Sequence, residues 1–220
     1  MKNYPEKDGK RVWLSDDEVE QLIHTQPNGT VERIGKKLAA QAGLRRKAVT
    51  RVTPNDVVES ERGTHYIRIW EEDSKTGKYR ETPIPEDLYT RIDSAVDLLD
   101  IEPEEQIVDV TPKTLYRWVQ RSTETLYEET GDEGWQYVDV HDLRRTWGTR
   151  LLEQGVLPSV VMSWGGWDDW STFREHYLGE FSPEVLERER EKVDFLAQGD
   201  PIKSDSTSHT LPSNSNTYSD

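Results

Sequence analysis

The sequence predicts an α+β fold, mostly α-helical, broken once by a small β-hairpin or three-stranded sheet. Helix start and stop signals recur along most of the chain, and one stretch alone switches to the two-residue period of a strand. Ser15 followed by Glu18 forms a capping box, so LSDDEVEQLIHTQ reads as the first helix, ended by PNG at 27–29. Residues 31–42 read as a second helix closed by Gly43, and GLRRKAVTRVTPNDV starts helical and stops near Thr53-Pro54. HYIRIW (65–70) then alternates, EDSKTGK supplies a turn, and YRETPIP (79–85) is a second extended run; together they read as the hairpin. Helices resume over 85–100, with Pro85 at the first turn, and over 111–129, where Thr111 caps and Pro112 takes the first helical position. Further helices are expected from about Asp142 to Gln154 with Gly155 at C′, in LPSVVMSW, in WSTFREHYLGEF, and over 182–197 behind a Ser-Pro cap.

Of the 220 residues 33% are apolar, but eight Trp and nine Tyr supply large buried areas, so a sizeable core is feasible. The expected organisation is an N-terminal extension over 1–13, one domain over 14–198 and a tail over 199–220. Half of that tail is Ser, Thr and Asn, which cannot bury enough surface to order itself. The absence of cysteine excludes a disulfide framework, a thiolate metal site and a cysteine nucleophile. Apolar runs are too short for a membrane span and the N-terminus has no apolar signal region, so a soluble cytoplasmic protein is expected. The net charge is −15 and the pI about 4.8. That balance fits either acidic or neutral partners, or work in concentrated salt, where an acidic surface keeps a protein soluble. It does not exclude DNA, because Glu32–Arg51 carries seven Lys/Arg against one Glu and could form a basic face on an acidic body.

The residues with chemical promise form an ordered set. GLR at 43–45 offers Arg45, the hairpin turn SKTGK offers Lys75 with Lys78 as its neighbour, and HDLRRT at 141–146 offers His141 and Arg144. GGW at 165–167 offers Trp167, and Tyr177 follows ten residues later. Two guanidiniums can clamp the non-bridging oxygens of a phosphodiester and stay charged at any relevant pH. Each motif is weak alone: an isolated HxxR is usually a solvated basic patch, and a tyrosine between His and Leu is usually a packing residue.

In this order the set resembles the catalytic domain of tyrosine recombinases, the phage-integrase family, over roughly residues 14–180. The resemblance implies site-specific DNA integration or recombination, with strands cut and rejoined through a 3′-phosphotyrosine, no metal and no cofactor. It implies Arg45 and Arg144 as the arginine pair, Lys75 as the hairpin lysine, His141 and Trp167 as further site residues, and Tyr177 as nucleophile. The partners implied are double-stranded DNA and a homotetramer on two DNA sites, with no membrane. The acidic balance adds the expectation of a salt-loving archaeal source or its virus or plasmid. A recombinase fold kept only for DNA binding, and a type IB topoisomerase-like strand transferase, are the other readings.

Four departures from the family pattern stand out. The position three after the first arginine, commonly acidic, is Ala48. The conventional place of the tyrosine holds His176, so Tyr177 implies a one-residue insertion around WSTFRE. Trp167 stands where His is commoner. The catalytic pattern begins at LSDDEVEQL, without the N-terminal helical clamp domain, which an accessory DNA-binding protein could replace.

Overall fold

Ser15 caps the first helix in the way its spacing demands: the Glu18 amide donates to the Ser15 hydroxyl oxygen, and the Ser15 amide donates to the Glu18 carboxylate at 2.8 Å. The structure, a computed structural model, describes residues 2–3, 12–25, 29–73, 77–177 and 183–197. Residues 1–179 form one compact unit and 180–220 a second. The first contains β1 (Lys2–Asn3), β2 (Val12–Trp13), α1 (Asp16–His24), α2 (Thr30–Gln41) and α3 (Arg46–Val49). It continues with β3 (Val57–Glu59), β4 (His65–Ile69), β5 (Arg80–Pro83), α4 (Glu86–Leu99) and α5 (Pro112–Thr130). It ends with α6 (Val140–Glu153), α7 (Pro158–Gly165) and α8 (Trp170–Tyr177). The second unit contains α9 (Pro183–Glu191) and α10 (Asp194–Ala197).

The fold is the mostly helical α+β domain that the sequence predicts, with an antiparallel sheet in the order β3-β4-β5. The β4–β5 hairpin pairs Ile67 with Thr82 and Ile69 with Arg80. The added strand β3 pairs Val57 with Ile67 on the other edge. Helix α2 lies at the centre and packs against α1, α4, α5 and α6. Its inward face brings Ile34, Leu38 and Ala39 to Leu22, Leu88, Leu115 and Leu143 in the main core. A smaller cluster of Trp147, Val161 and Phe173, backed by Trp164, Trp167 and Tyr177, lies between α6, α7 and α8.

Three local expectations change. GLRRKAVTR is not helical from its start: Arg45 is the extended N-cap of the one-turn α3. The stretch expected as one helix over 182–197 is two pieces. Beyond α9 the Arg190 guanidinium donates to the Leu196 carbonyl at 2.5 Å and fastens a new turn there. The basic segment 32–51 is not one surface either. Lys36 and Lys37 are buried, paired with Glu32 and Asp87, and among its other cations Arg46, Lys47 and Arg51 stay exposed. The tail over 199–220 lies outside the described residues. Among the described residues no helix is long and apolar enough to cross a membrane.

Candidate active site

Helix α6 starts at a fixed point. Asp139 caps it, accepting from the backbone amides of His141 and Asp142, while Asp142 returns the bond to the Asp139 amide. This cap sets His141 in the first turn and Arg144 one turn on. The Leu14 amide donates to Thr146 Oγ1 at 3.0 Å, tying the entry to α1 onto the same helix.

Arg144 is 1% exposed. Its Nη1 donates to the Gly43 carbonyl and its Nη2 to the Gly165 carbonyl at 2.5 Å. The first of these bonds needs a glycine. Gly43 has φ +62°, and a Cβ there would lie 2.3 Å from the Trp147 ring. The Trp167 ring lies over the guanidinium, 4.0 Å from centroid to Cζ. Arg45 approaches from α3 and donates through Nη2 to the Gly166 carbonyl at 3.4 Å. Its Nη1 is buried with no hydrogen-bond partner, as is Arg144 Nε.

Tyr177 closes the group. Its ring meets Trp167 edge-on at 4.8 Å and stacks on Phe173 at 4.9 Å. It also lies against α6: a Cβ on Gly148 would come within 2.9 Å of Tyr177 Cε1. Ionised Tyr177 is electrostatically favourable to both Arg45 and Arg144, which places the phenol oxygen in the field of both guanidiniums. The structure thus brings Arg45, Arg144, Trp167 and Tyr177 together, with His141 at the rim. Lys75 lies outside the described residues. Its neighbour Lys78 is exposed and paired with Asp168 at 2.8 Å.

Burial dominates the electrostatics. It pushes the Arg144 guanidinium well below its usual range, with Arg45 and Arg80 adding to the effect and Tyr177 opposing it. Burial lowers Arg45 as well, opposed by Tyr177 and Asp168. His141 is exposed by surface area, but its ring is partly desolvated by the neighbouring chain; this and then Arg145 and Arg144 lower it to about 4, so its imidazole is neutral near pH 7. Ala48, three residues after Arg45, is buried in the main core and offers no carboxylate.

One member of the cluster was not foreseen. Arg80 opens β5, is 8% exposed and donates through Nε to the Trp164 carbonyl at 3.0 Å. Burial and then Arg45 lower it to about 10. The signal was available in the strand period, which puts Arg80 on the inward face with Thr82. Among the described residues no group of His, Cys, Asp and Glu has the geometry of a metal site.

Comparison with known proteins bears on the fold and the family. The family described as the phage integrase family matches residues 12–182. The XerA recombinase structure is similar with a TM-score of 0.59 at 20% identity, over 82% of this chain and 64% of that one. The Tn1549 transposon integrase in complex with transposon right end DNA gives 0.63 at 15% identity, over 87% and 69%. A lambda integrase dimer bound to a COC′ core site gives 0.57 at 16% identity, over 80% and 51%. The chain therefore spans about half to two thirds of the length of these structures, and at such identities the likeness is one of fold. No curated protein matches the sequence. With the family matched across most of its length and the fold shared, the chain belongs to the phage integrase family.

Proposed function

We propose that the protein is a site-specific DNA recombinase that cuts and rejoins strands through Tyr177. The observation that carries this reading is that buried Arg144 and half-buried Arg45 are held by neighbouring carbonyls at the end of α7, with the Trp167 ring lying between Arg144 and Tyr177. The phenolate oxygen attacks the phosphorus, a tyrosyl–phosphate bond forms, and the 5′-oxygen leaves as a hydroxyl after taking up a proton. Arg45 and Arg144 stabilise charge that grows on the non-bridging oxygens. Neutral His141 can accept or relay the phenol proton only as a weak base, and Lys75 is suited to supply the proton to the leaving oxygen. The second step reverses the first with the 5′-hydroxyl of a partner strand, so the phosphodiester bond is conserved.

The partner is double-stranded DNA, bound along the side where α3 exposes Arg46 and Lys47 beside Arg45. Four protomers on two DNA sites, with an accessory DNA-binding protein in place of a clamp domain, complete the proposed assembly. The charge of −15 supports work in concentrated salt. A protein equally folded and soluble in low and in molar salt would remove that part.

The test is covalent trapping. Random-sequence duplexes with a nick are incubated with the protein and denatured in SDS, for wild type and Tyr177→Phe. The expected result is an SDS-resistant adduct with wild type alone, and sequencing the trapped DNA gives the site. Adduct in both proteins would move the nucleophile to another residue. DNA binding without adduct in either would favour a fold kept for binding only.

A further inference from the structure

The last turn of α7 accounts for five carbonyls in a row. The Met162 carbonyl accepts from the Trp167 amide at 3.0 Å and the Ser163 carbonyl from the Gly166 amide at 3.2 Å. Gly166, at φ +66°, makes this closure possible. The next three carbonyls are each taken by a different arginine: Trp164 by Arg80, Gly165 by Arg144 and Gly166 by Arg45. The C-terminus of a helix carries partial negative charge on such carbonyls, so it suits cations. Among the described residues none of the three guanidiniums is ion-paired with a carboxylate. The turn therefore does the orienting that an acid at position 48 would otherwise do.

Two of these arginines have proposed roles at the phosphate; Arg80 has none. Packing alone does not explain it. Its inward-facing neighbours on the strand are Thr82 and Ile84, and a third buried cation beside Arg45 and Arg144 adds repulsion to the cost of desolvation. Its place is specific. The Arg80 side chain lies directly beneath Gly166, where an added Cβ would meet Arg80 Cδ at 3.0 Å and Nε at 3.2 Å.

We propose that Arg80 is a positioning residue: by holding the Trp164 carbonyl and the underside of Gly166, it fixes the turn 164–166 from which Arg144 and Arg45 take their places. This rests on the recombinase reading above. A shift of about 1 Å in catalytic groups can lower a rate about a hundredfold without a change in binding.

The experiment measures the rate of adduct formation at saturating DNA on a nicked duplex trapped by the wild type. Thermal midpoint and duplex affinity are measured beside it. Arg80→Met is expected to slow the adduct by about a hundredfold, with affinity and midpoint close to wild type. Arg80→Lys, which can still reach one carbonyl, should recover part of the rate. Gly166→Ala disturbs the same turn from above and should slow the adduct likewise. A wild-type rate for Arg80→Met at saturating DNA overturns the proposal. So does a loss confined to affinity, which would make Arg80 a DNA contact. If Arg80→Met does not fold, Arg80→Lys decides: a slowed rate at an unchanged midpoint supports the role, and a wild-type rate removes it. No adduct with the wild type itself would instead sink the recombinase reading.

Discussion

Two buried clusters of charge in this domain are built in opposite ways. Between α2 and α5, Lys36 is wholly enclosed, yet its ammonium lies 2.9 Å from Glu32 and 2.6 Å from the Ser122 hydroxyl, and Arg121 pairs with the other Glu32 oxygen. Around the end of α7, buried Arg80 and Arg144 and half-buried Arg45 are held by carbonyl oxygens, with no carboxylate paired to them among the described residues. In the first cluster the charges are satisfied within the fold. In the second, Arg45 Nη1, Arg80 Nη1 and Arg144 Nε have no hydrogen-bond partner among the described residues, which suits the proposed binding of a phosphate. The same residue types thus sit beside a carboxylate in one place and without one in the other, and that difference separates a structural cluster from the proposed phosphate site.

The largest effect should come from breaking the paired cluster. Glu32→Ala strands Lys36 and is expected to cost about 3–5 kcal/mol of stability, read by chemical denaturation. Because burial already lowers the Lys36 ammonium, part of this loss should be relieved by deprotonation at high pH. Replacing the pair together, with Glu32→Leu and Lys36→Met, should restore most of it. An unchanged denaturation midpoint for Glu32→Ala would break the comparison.

At the unpaired cluster the expected order is reversed. Arg144→Gln removes one of three repelling cations but also a donor to the Gly43 and Gly165 carbonyls, so melting should move less than for Glu32→Ala. Adduct formation should fall by about a hundred- to a thousandfold, measured in a single turnover. A large drop in melting temperature with adduct formation intact would make this cluster structural like the first.

The smallest effect concerns His141, because its exposed position lets solvent screen much of the shift's effect on stability. Its folded pKa of about 4 lies below the ordinary value near 6.5. The unfolded chain takes up this proton near pH 6.5 and the folded protein only near 4. This group therefore leaves stability untouched above 6.5 and lowers it as pH falls from 6.5 to 4. An NMR titration of the imidazole should show its midpoint near 4, and His141→Gln should flatten that part of the stability profile. A midpoint near 6.5 would mean that neither desolvation nor the neighbouring arginines act on the ring.

The sequence shows the paired cluster and the unpaired one with different clarity. Local chemistry was legible: the Ser15–Glu18 box, the Thr111-Pro112 start and the alternation in HYIRIW all lie where their spacing put them. Strand β3 was harder, since three residues behind a Pro54 turn give too short a period to see. Within the site, Arg45, His141, Arg144, Trp167 and Tyr177 were marked by motif order. The strand period marks Arg80 as inward-facing but not its place in the site, because that lies in a carbonyl 84 residues away in sequence, and carbonyls leave no trace in residue type. The burial of Lys36 and Lys37 was hidden for the same reason: their partners sit on α2, α4 and α5, and only packing brings Asp87 and Ser122 to them.

The most direct test of the account is to map the covalent bond. Protein trapped on a nicked duplex is digested with nuclease and protease, and the peptide carrying residual nucleotide is sequenced by mass spectrometry. The account predicts a nucleotide phosphate on the phenol oxygen of Tyr177 and nowhere else. The same mass on another tyrosine, or on a serine, would contradict it.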